Sequence, residues 1–245
     1  MTHVAALWDQ LDLHVHTVFA AARDAQRHPD AIRALRDAGH EIAARGADLT
    51  SLPLLKERER ESLLEARDVL SAIAGEAPKG FRAPTGELSP RTLHFLAELG
   101  FAYDSSFQDD DHPYVFSLEG SSRIAEIPTV QALDDSLPFS ARHTHARVVK
   151  IWREEFDALY REGCLVPLTV HLRGDLGFTR AARIAALEEL LAYIASRPGV
   201  RFMTGAALAA QALAGKEPAE PDPILAHRET LAVTPYRGDL AVKPI

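Results

Sequence analysis

The chain has 245 residues, a hydrophobic fraction of 47% and a formal charge of −8 at neutral pH. This length can bury one sizeable core, and the acidic balance disfavours nucleic acid or a membrane surface as the main partner. No window reaches the roughly 20 apolar residues that a membrane-spanning helix needs. The first residues do not resemble a secretion signal, and the single cysteine, Cys164, excludes an intrachain disulfide. We therefore predict a cytoplasmic protein.

Short apolar runs alternate with longer amphipathic stretches along the chain. The predicted strands are Leu13–Ala20, Glu41–Ala44, Gly80–Arg82, Arg123–Ile127, Val166–His171 and Val200–Met203. The predicted helices are Asp30–Ala38, Leu55–Ala74, Pro90–Leu99, Val149–Arg161, Ala181–Ser196 and Ala206–Leu213. Strands that alternate with helices indicate βα units around a mostly parallel sheet, which is an α/β fold.

The composition changes near Gly215. Beyond this point five prolines prevent any long helix, namely Pro218, Pro221, Pro223, Pro235 and Pro244. We therefore divide the chain into a folded domain, residues 1–214, and an extended arm, residues 215–245. The arm would pack on the domain or on a second subunit of a homo-oligomer, or it would be a disordered tail.

Four segments, in chain order, carry a resemblance to a known family. They are Arg27–Asp30 with Ala38–Ala43, Phe81–Gly86 with Leu99–Ser106, Glu126–Pro128 with Leu133–Asp135, and Leu168–His171 with the helix after it. Over roughly residues 7–213 the chain resembles the polysaccharide deacetylases, which are carbohydrate esterase family 4 or NodB-homology proteins. The acidic run Asp109–Asp111 is similar to the cytosolic branch of that family, with its peptidoglycan-deacetylase-like and allantoinase-like enzymes.

The resemblance implies a fold, a reaction and a cofactor. The fold would be a distorted TIM-like (β/α) barrel, and the reaction would be hydrolysis of a carbon–nitrogen bond in an N-acetylated sugar or small amide. In this family a divalent metal, usually zinc, polarises the carbonyl and activates a water molecule. An aspartate is the base, a late histidine is the acid, and an arginine orients the aspartate.

Three residues match catalytic positions of the family. Arg82 matches the orienting arginine and His171 matches the acid. Asp135, or its neighbour Asp134, matches the carboxylate that supports the histidine, since a carboxylate beside an imidazole fixes its tautomer. The expected substrate-binding residues are Arg45, Pro84, Gly86 and Asp134.

The metal site of the family is incomplete in this sequence. The first strand, which carries the aspartate pair, would lie upstream of Leu7, where only six residues remain, so we expect that strand to be absent. Two histidine ligands would stand just before Gly46 and three residues after it, where this chain has Arg45 and Leu49. A guanidinium is a permanent cation and leucine has no donor atom, so neither residue can bind zinc. The cofactor is therefore left open.

Three accounts of this incomplete site stay open. The gene model could be truncated, which would explain the lost strand but not Arg45 or Leu49. The protein could be a metal-independent hydrolase in which Arg45 and Arg82 supply the positive charge that zinc normally provides. It could instead be a catalytically inactive relative that binds a ligand.

A second resemblance lies in the segment Asp12–Thr17. His14 and His16 would point to the same face of a strand and could bind one metal together. The segment is similar to the opening motif of metal-dependent phosphoesterases of the polymerase-and-histidinol-phosphatase (PHP) type. The further histidine and aspartate motifs that those enzymes need do not follow downstream, so the phosphoesterase stays the weaker alternative.

Overall fold

The computed structural model describes residues 16–118 and 122–215, and these form two compact units. Residues 17–107, the described part of 113–127, and 204–215 make up the first, which we call the sheet unit. His16, residues 108–112 and residues 128–203 make up the second, which we call the helical unit.

Six strands form one sheet in the sheet unit. They are β1 (Thr17–Ala20), β2 (Glu41–Ala44), β3 (Gly80–Phe81), β4 (Tyr103–Asp104), β5 (Tyr114–Ser117) and β6 (Arg123–Glu126). Their order is β1-β2-β3-β4-β6-β5, and all neighbours are parallel except β5, which runs antiparallel to β6. The carboxyl ends of β1, β2, β3, β4 and β6 therefore lie along the same edge of the sheet.

Nine α-helices lie within the described residues. They are α1 (Ala22–Arg27), α2 (Pro29–Asp37), α3 (Leu52–Leu55), α4 (Glu59–Ala74), α5 (Thr92–Glu98), α6 (Ser136–Ser140), α7 (His145–Glu162), α8 (Ala181–Ala195) and α9 (Gly205–Ala214). Short 3-10 turns cover Lys56–Arg58 and Gln131–Leu133. No helix in residues 16–118 or 122–215 is long and apolar enough to cross a membrane.

The core of the sheet unit forms around α4. Leu63, Ala66, Leu70 and Ala74 recur at helical spacing and are buried on one face of this helix. Helices α1, α2 and α5 pack against α4, and its apolar face joins a cluster that includes Phe81 of β3. Full burial of each such leucine contributes about 1.5–3 kcal/mol. This packing holds β2 and β3 in place, and both strands lead into candidate site residues.

The helical unit has a core of its own. Val148, Trp152 and Phe156 follow one another at intervals of four residues and are buried on one face of α7. They pack in one cluster with Leu187 and Leu191 of α8. The Thr144 hydroxyl accepts a hydrogen bond from the Arg147 N–H, which caps the start of α7.

The structure confirms most of the predicted elements and differs from the sequence predictions in several others. The α/β class is confirmed, β2 has its predicted bounds, and each of the six predicted helices is present with shifted ends. The first predicted strand is seen as β1, while Leu13 to Val15 and residues 216–245 of the arm lie outside the described residues. Closure of the sheet into a barrel stays a prediction. Five of these strands and helices were not predicted: α1, α3, β4, β5 and α6.

Two predicted strands are wrong. In Val166–His171 only Thr169 forms a strand-like bridge, with Asp134, because the Leu168 N–H turns back to the Val166 carbonyl. Val200–Met203 is also not a strand, and the Val200 N–H turns back to the Arg197 carbonyl. Apolar composition alone favoured strands in both segments, but backbone pairing with a neighbour decides whether a strand forms.

Candidate active site

The centre of the helical unit is a hydrogen-bonded pair, Asp135 and His171. The Asp135 N–H donates to the Thr169 carbonyl at 3.1 Å, and the Thr169 N–H donates to the Leu133 carbonyl at 2.9 Å. These two backbone bonds align segments that are far apart in the chain. As a result, Asp135 Oδ1 lies 2.7 Å from His171 Nδ1.

Backbone N–H groups complete the surroundings of the Asp135 carboxylate. The His171 N–H lies 3.0 Å and 3.1 Å from its two oxygens, and the Phe178 N–H donates to Oδ2 at 3.1 Å. The Asp135 side chain is fully buried, whereas the His171 side chain is 21% exposed. Burial raises the pKa of Asp135, and the hydrogen bonds from His171 offset part of this rise. Because Nδ1 is bound to Asp135, Nε2 is the ring nitrogen that can exchange a proton with a substrate.

Asp134, the other candidate partner of the histidine, has a different role. Its Oδ1 accepts hydrogen bonds from the N–H and hydroxyl of Ser136, at the start of α6. The same oxygen is 3.7 Å from His171 Nδ1, which is too long for a direct hydrogen bond. The structure therefore assigns Asp135 as the carboxylate that orients His171, and substrate binding by Asp134 stays a prediction.

The loop that covers this pair was not predicted from the sequence. Phe178 supplies one of the N–H donors to Asp135, and Gly177 precedes it. A Cβ atom at Gly177 would stand 1.9 Å from the His171 carbonyl oxygen, so only glycine lets the loop pass so close. The two glycines that follow the histidine, Gly174 and Gly177, were the available sequence signal for such a tight return.

The sheet unit carries a second group of candidate residues, at the carboxyl edge of its sheet. Arg45 follows β2 and Arg82 follows β3, and the Arg82 N–H continues the pairing by donating to the Ala44 carbonyl at 3.0 Å. The Arg45 guanidinium donates from Nη2 to the Pro84 carbonyl at 3.0 Å. Arg45, Arg82 and Pro84, three of the predicted residues, thus belong to one part of the sheet unit.

The Arg82 side chain is held on two sides. Its Nε donates to the Ser105 carbonyl at 2.9 Å, and its Nη2 donates to the Ser105 hydroxyl at 2.8 Å. The guanidinium carbon lies 4.2 Å from the centre of the Phe19 ring, which is a cation–π contact. Burial and the charge of Arg45 lower the pKa of Arg82 to about 10, so that the side chain is still charged at neutral pH. Gly86 lies in the following turn with φ of 76°.

Two buried acids support the turn that binds Arg82. Asp104 and Glu126 are paired residues of β4 and β6, and both are fully buried. Asp104 accepts hydrogen bonds from the Ser106 hydroxyl at 2.8 Å and the Ser106 N–H at 3.1 Å, and Glu126 accepts from the Phe107 N–H at 3.0 Å. Burial raises the pKa of Asp104 to about 6, against the hydrogen bonds from Glu126 and Ser106.

The raised pKa of Asp104 predicts a specific pH dependence of stability. A carboxyl that holds its proton more tightly when folded contributes stability below its unfolded pKa, near 3.8, and loses it as the pH rises through about 6. Asp104→Asn should remove this contribution, on the order of 3 kcal/mol. We therefore expect the free energy of unfolding of the wild type, relative to the variant, to fall between pH 4 and pH 7.

Urea unfolding at a series of pH values measures this difference. Asp30→Asn is the matched control, because the Asp30 side chain is 96% exposed. The same pH slope in the wild type and in Asp104→Asn would contradict the raised pKa of the buried Asp104 carboxyl.

The residues at the expected metal positions do not fit a metal. Arg45 is a cation, and the side chain of Leu49 is apolar and 58% exposed. The nearby Asp48 carboxylate lies 2.7 Å from Arg23 and accepts the Thr50 N–H. His14 lies outside the described residues, so its pairing with His16 stays a prediction.

One other group of side chains in the described residues is close enough to hold an ion. Ligand atoms of Asp134, Asp135 and His171 lie within 4.8 Å of one another. Both oxygens of Asp135 already accept N–H groups of the protein, and Nδ1 of His171 is bound to one of them. A metal would have to displace these bonds, so this group does not fit one either.

The predicted site residues thus fall into two sets. Asp135 and His171 are brought together in the helical unit, and Arg45, Arg82 and Pro84 are brought together in the sheet unit. The family resemblance implies that Arg82 converges with the Asp135–His171 pair at one site, and this convergence stays a prediction.

Comparison with known proteins identifies the family. The sequence matches the polysaccharide deacetylase family over residues 2–103. A peptidoglycan deacetylase of Helicobacter pylori is 25% identical, with 77% of this chain and 75% of that protein covered.

Solved structures support the same family assignment. A protein from Mycobacterium smegmatis that is assigned to the polysaccharide deacetylases is 33% identical, with 89% of this chain and 79% of that chain covered and a TM-score of 0.76. PuuE allantoinase is 31% identical, with 84% and 70% covered and a TM-score of 0.75.

The chain belongs to the polysaccharide deacetylase (NodB-like) family. Its class is that of a polysaccharide-deacetylase-like hydrolase. These matches favour the deacetylase resemblance over the phosphoesterase alternative.

Proposed function

We propose that the protein hydrolyses the carbon–nitrogen bond of an N-acetylated sugar or another small amide, with His171 as the general acid. The observation that supports this most strongly is the bond between His171 Nδ1 and the buried Asp135 carboxylate. Relatives named as a peptidoglycan deacetylase and an allantoinase support a substrate with an N-acyl or cyclic amide group.

The chemistry follows from the positions of the groups around His171. Attack of water on the amide carbonyl gives a tetrahedral intermediate whose nitrogen must gain a proton before the carbon–nitrogen bond breaks. His171 would donate that proton from Nε2, while the charge of Asp135 stabilises the imidazolium before transfer. The products are a carboxylate and an amine, or the corresponding opened ring, and the general base is unassigned.

The positive charge that stabilises the oxyanion would come from the protein itself. Arg82 keeps its charge at neutral pH and is held in place by Ser105 and Phe19. The family resemblance implies that Arg82 lies at the same site as His171, and a fixed guanidinium beside the developing negative charge would lower the barrier without any rearrangement. In this proposal no step requires a metal at the position of Arg45 and Leu49.

A substrate panel with one variant tests the assignment of the acid. Acetylated amino sugars, allantoin and cyclic imides are incubated with the purified protein, and the release of amine or the opening of the ring is followed. We expect His171→Ala to lower the rate about 10²–10⁴-fold.

His145→Ala is the matched control, because His145 is an exposed residue at the start of α7. Full activity in His171→Ala would rule out His171 as the acid. Steady phosphomonoesterase activity of the wild type would favour the PHP-type alternative instead.

A second candidate function is a catalytically inactive protein that binds a deacetylase-type ligand. The observation that favours it is the pair Arg45 and Leu49 at the expected metal positions. Binding of a panel compound without turnover, at equal affinity in wild type and His171→Ala, would support this alternative. The cytoplasmic location and an oligomer formed through residues 215–245 stay predictions.

A further inference from the structure

We propose that Arg183 is a positioning residue for the Asp135–His171 pair. Arg183 lies in the first turn of α8 and acts on the Asp135 carboxylate through one peptide unit, the one that joins Gly177 to Phe178. All of these residues belong to the helical unit. The positioning follows from their contacts, and its effect on turnover rests on the proposed function.

The peptide unit between Gly177 and Phe178 is held at both ends. Arg183 donates from Nη1 to the Gly177 carbonyl at 2.7 Å, and the Phe178 N–H donates to Asp135 Oδ2 at 3.1 Å. In a planar trans peptide the C=O and N–H bonds point in opposite directions, so that fixing the oxygen also fixes the direction of the N–H. Arg183 therefore aims the Phe178 N–H at the carboxylate.

The positive charge of Arg183 strengthens this arrangement. A hydrogen bond from a guanidinium is stronger than one between neutral groups. Hydrogen bonds in a chain polarise one another, so a cation at the Gly177 oxygen makes the Phe178 N–H a better donor. A donor to Oδ2 favours the ionised form of Asp135, which is the form that accepts the Nδ1 proton of His171. The contacts of Arg183 thus influence which ring nitrogen of His171 carries the proton.

Aromatic rings hold Arg183 against the helix that follows Asp135. The guanidinium carbon lies 3.8 Å from the centre of the Phe139 ring, and Phe139 belongs to α6, which begins directly after Asp135. The buried rings of Phe139 and Phe178 meet edge to face, with 5.0 Å between their centres. Arg183 therefore contacts both the loop that donates the hydrogen bond and the helix beside the residue that accepts it.

The loop needs such a contact because much of it is exposed. Residues 172–175 are exposed, and the ion pair between Arg173 and Asp175 contributes little to stability at an exposed position. Gly177 loses more backbone freedom than other residues when the loop becomes ordered. The bond from Arg183 to the Gly177 carbonyl offsets part of this cost at the point where the loop meets the carboxylate.

The tautomer of His171 tests the proposal. Long-range proton–nitrogen NMR spectra of the full-length protein, recorded with the ring neutral, report which ring nitrogen carries the proton, and His171→Ala identifies the signals. We expect the Nδ1–H tautomer in the wild type and a mixture of tautomers in Arg183→Gln. Arg183→Lys should lie closer to the wild type, because its ammonium group can still donate to the Gly177 carbonyl.

Turnover gives a second readout when an amide of the panel is hydrolysed. Arg183→Gln should then lower kcat about tenfold with little change in KM, as expected for the partial loss of a charge-assisted hydrogen bond that acts through His171. Arg161→Gln is the matched control. It also removes one positive charge and one hydrogen bond to a backbone carbonyl, since Arg161 Nε donates to the Asp157 carbonyl at an exposed position of α7.

Several results would overturn the proposal. These are a folded Arg183→Gln protein with the wild-type tautomer or kcat, an equal change in Arg161→Gln, or an Arg183→Lys protein no closer to the wild type than Arg183→Gln. If Arg183→Gln does not fold, amide exchange in the wild type decides. A Phe178 N–H that exchanges as fast as those of residues 172–175 would overturn the proposal, and a protected one would support it. Because the tautomer is measured without substrate, its result is separate from a failure of the proposed hydrolysis.

Discussion

Asp135→Asn is expected to lower the turnover number about 10²–10⁴-fold, with a much smaller effect on KM. The reason is that Asp135 acts only through His171, whose Nδ1 it binds at 2.7 Å. Without the carboxylate charge, the imidazolium that must form before proton donation loses its stabilising partner. Binding of the ground-state substrate does not depend on that charge.

The geometry allows asparagine no good orientation at this position. If its amide nitrogen replaced Oδ2, the nitrogen would face the Phe178 N–H, which now donates to that oxygen. If it replaced Oδ1, it would face the N–H of His171 and prevent Nδ1 from donating. Either orientation leaves a buried donor without an acceptor, at a cost of about 1–3 kcal/mol in folding stability.

Steady-state kinetics on a hydrolysed amide of the panel measure this effect. Asp157→Asn is the matched control, since Asp157 accepts a hydrogen bond from the Tyr193 hydroxyl elsewhere in the helical unit. We expect the control to keep its rate within about twofold. An Asp135→Asn protein that turns over as fast as the control would show that His171 does not need its carboxylate.

Gly80→Ala and Gly205→Ala are each expected to lower the stability of the folded protein strongly. A Cβ at Gly80 would stand 1.9 Å from Cζ of Tyr103, and a Cβ at Gly205 would stand 2.3 Å from the Tyr103 hydroxyl. Tyr103 is fully buried, and its hydroxyl donates to Glu41 at 2.9 Å. The ring has no room to retreat without breaking this bond and its edge contact with Phe19.

The Tyr103–Glu41 contact also ties α9 to the sheet. Glu41 accepts the Ala206 N–H at 2.9 Å in the first turn of α9, where a negative charge is favourable. Displacement of Tyr103 therefore weakens both the core and this attachment. We expect each variant to lose about 3 kcal/mol, which corresponds to a melting temperature about 6–12 °C lower for a chain of this size.

Thermal unfolding followed by circular dichroism measures the loss. Gly174→Ala is the matched control, because a Cβ there would meet only the Thr179 hydroxyl, at an ordinary contact distance of 3.7 Å. If Gly80→Ala and Gly205→Ala melted at the temperature of Gly174→Ala, the close packing of Tyr103 against both glycines would be wrong.

The sequence predicted most of the βα pattern because its signals are local. The strand β2 follows the helix end at Gly39, whose φ of 89° suits glycine, and its four residues match the prediction. The strand β4 was missed because it has only two residues, Tyr103 and Asp104, and one of them is a buried acid. Such a strand depends on its neighbours β3 and β6 rather than on its own composition.

Some residues of the candidate site could be predicted from the sequence, and others could not. Resemblance to a family indicated His171 and a nearby carboxylate, but the choice between Asp134 and Asp135 needed the 2.7 Å and 3.7 Å distances to the ring nitrogen. The role of Phe178 could not be predicted, since its contribution is a backbone N–H that any residue could supply. The raised pKa of Asp104 likewise depends on burial from all sides, which a sequence does not reveal.

The hydrolytic rate after metal removal tests the central claim most directly. The protein is dialysed against a strong chelator, and its rate on a hydrolysed amide of the panel is compared before and after dialysis and after zinc is added back. With Arg45 and Leu49 at the expected metal positions, we predict that the rate is unchanged by chelation and is not raised by zinc. A rate that disappears on chelation and returns with one zinc ion per chain would contradict this account.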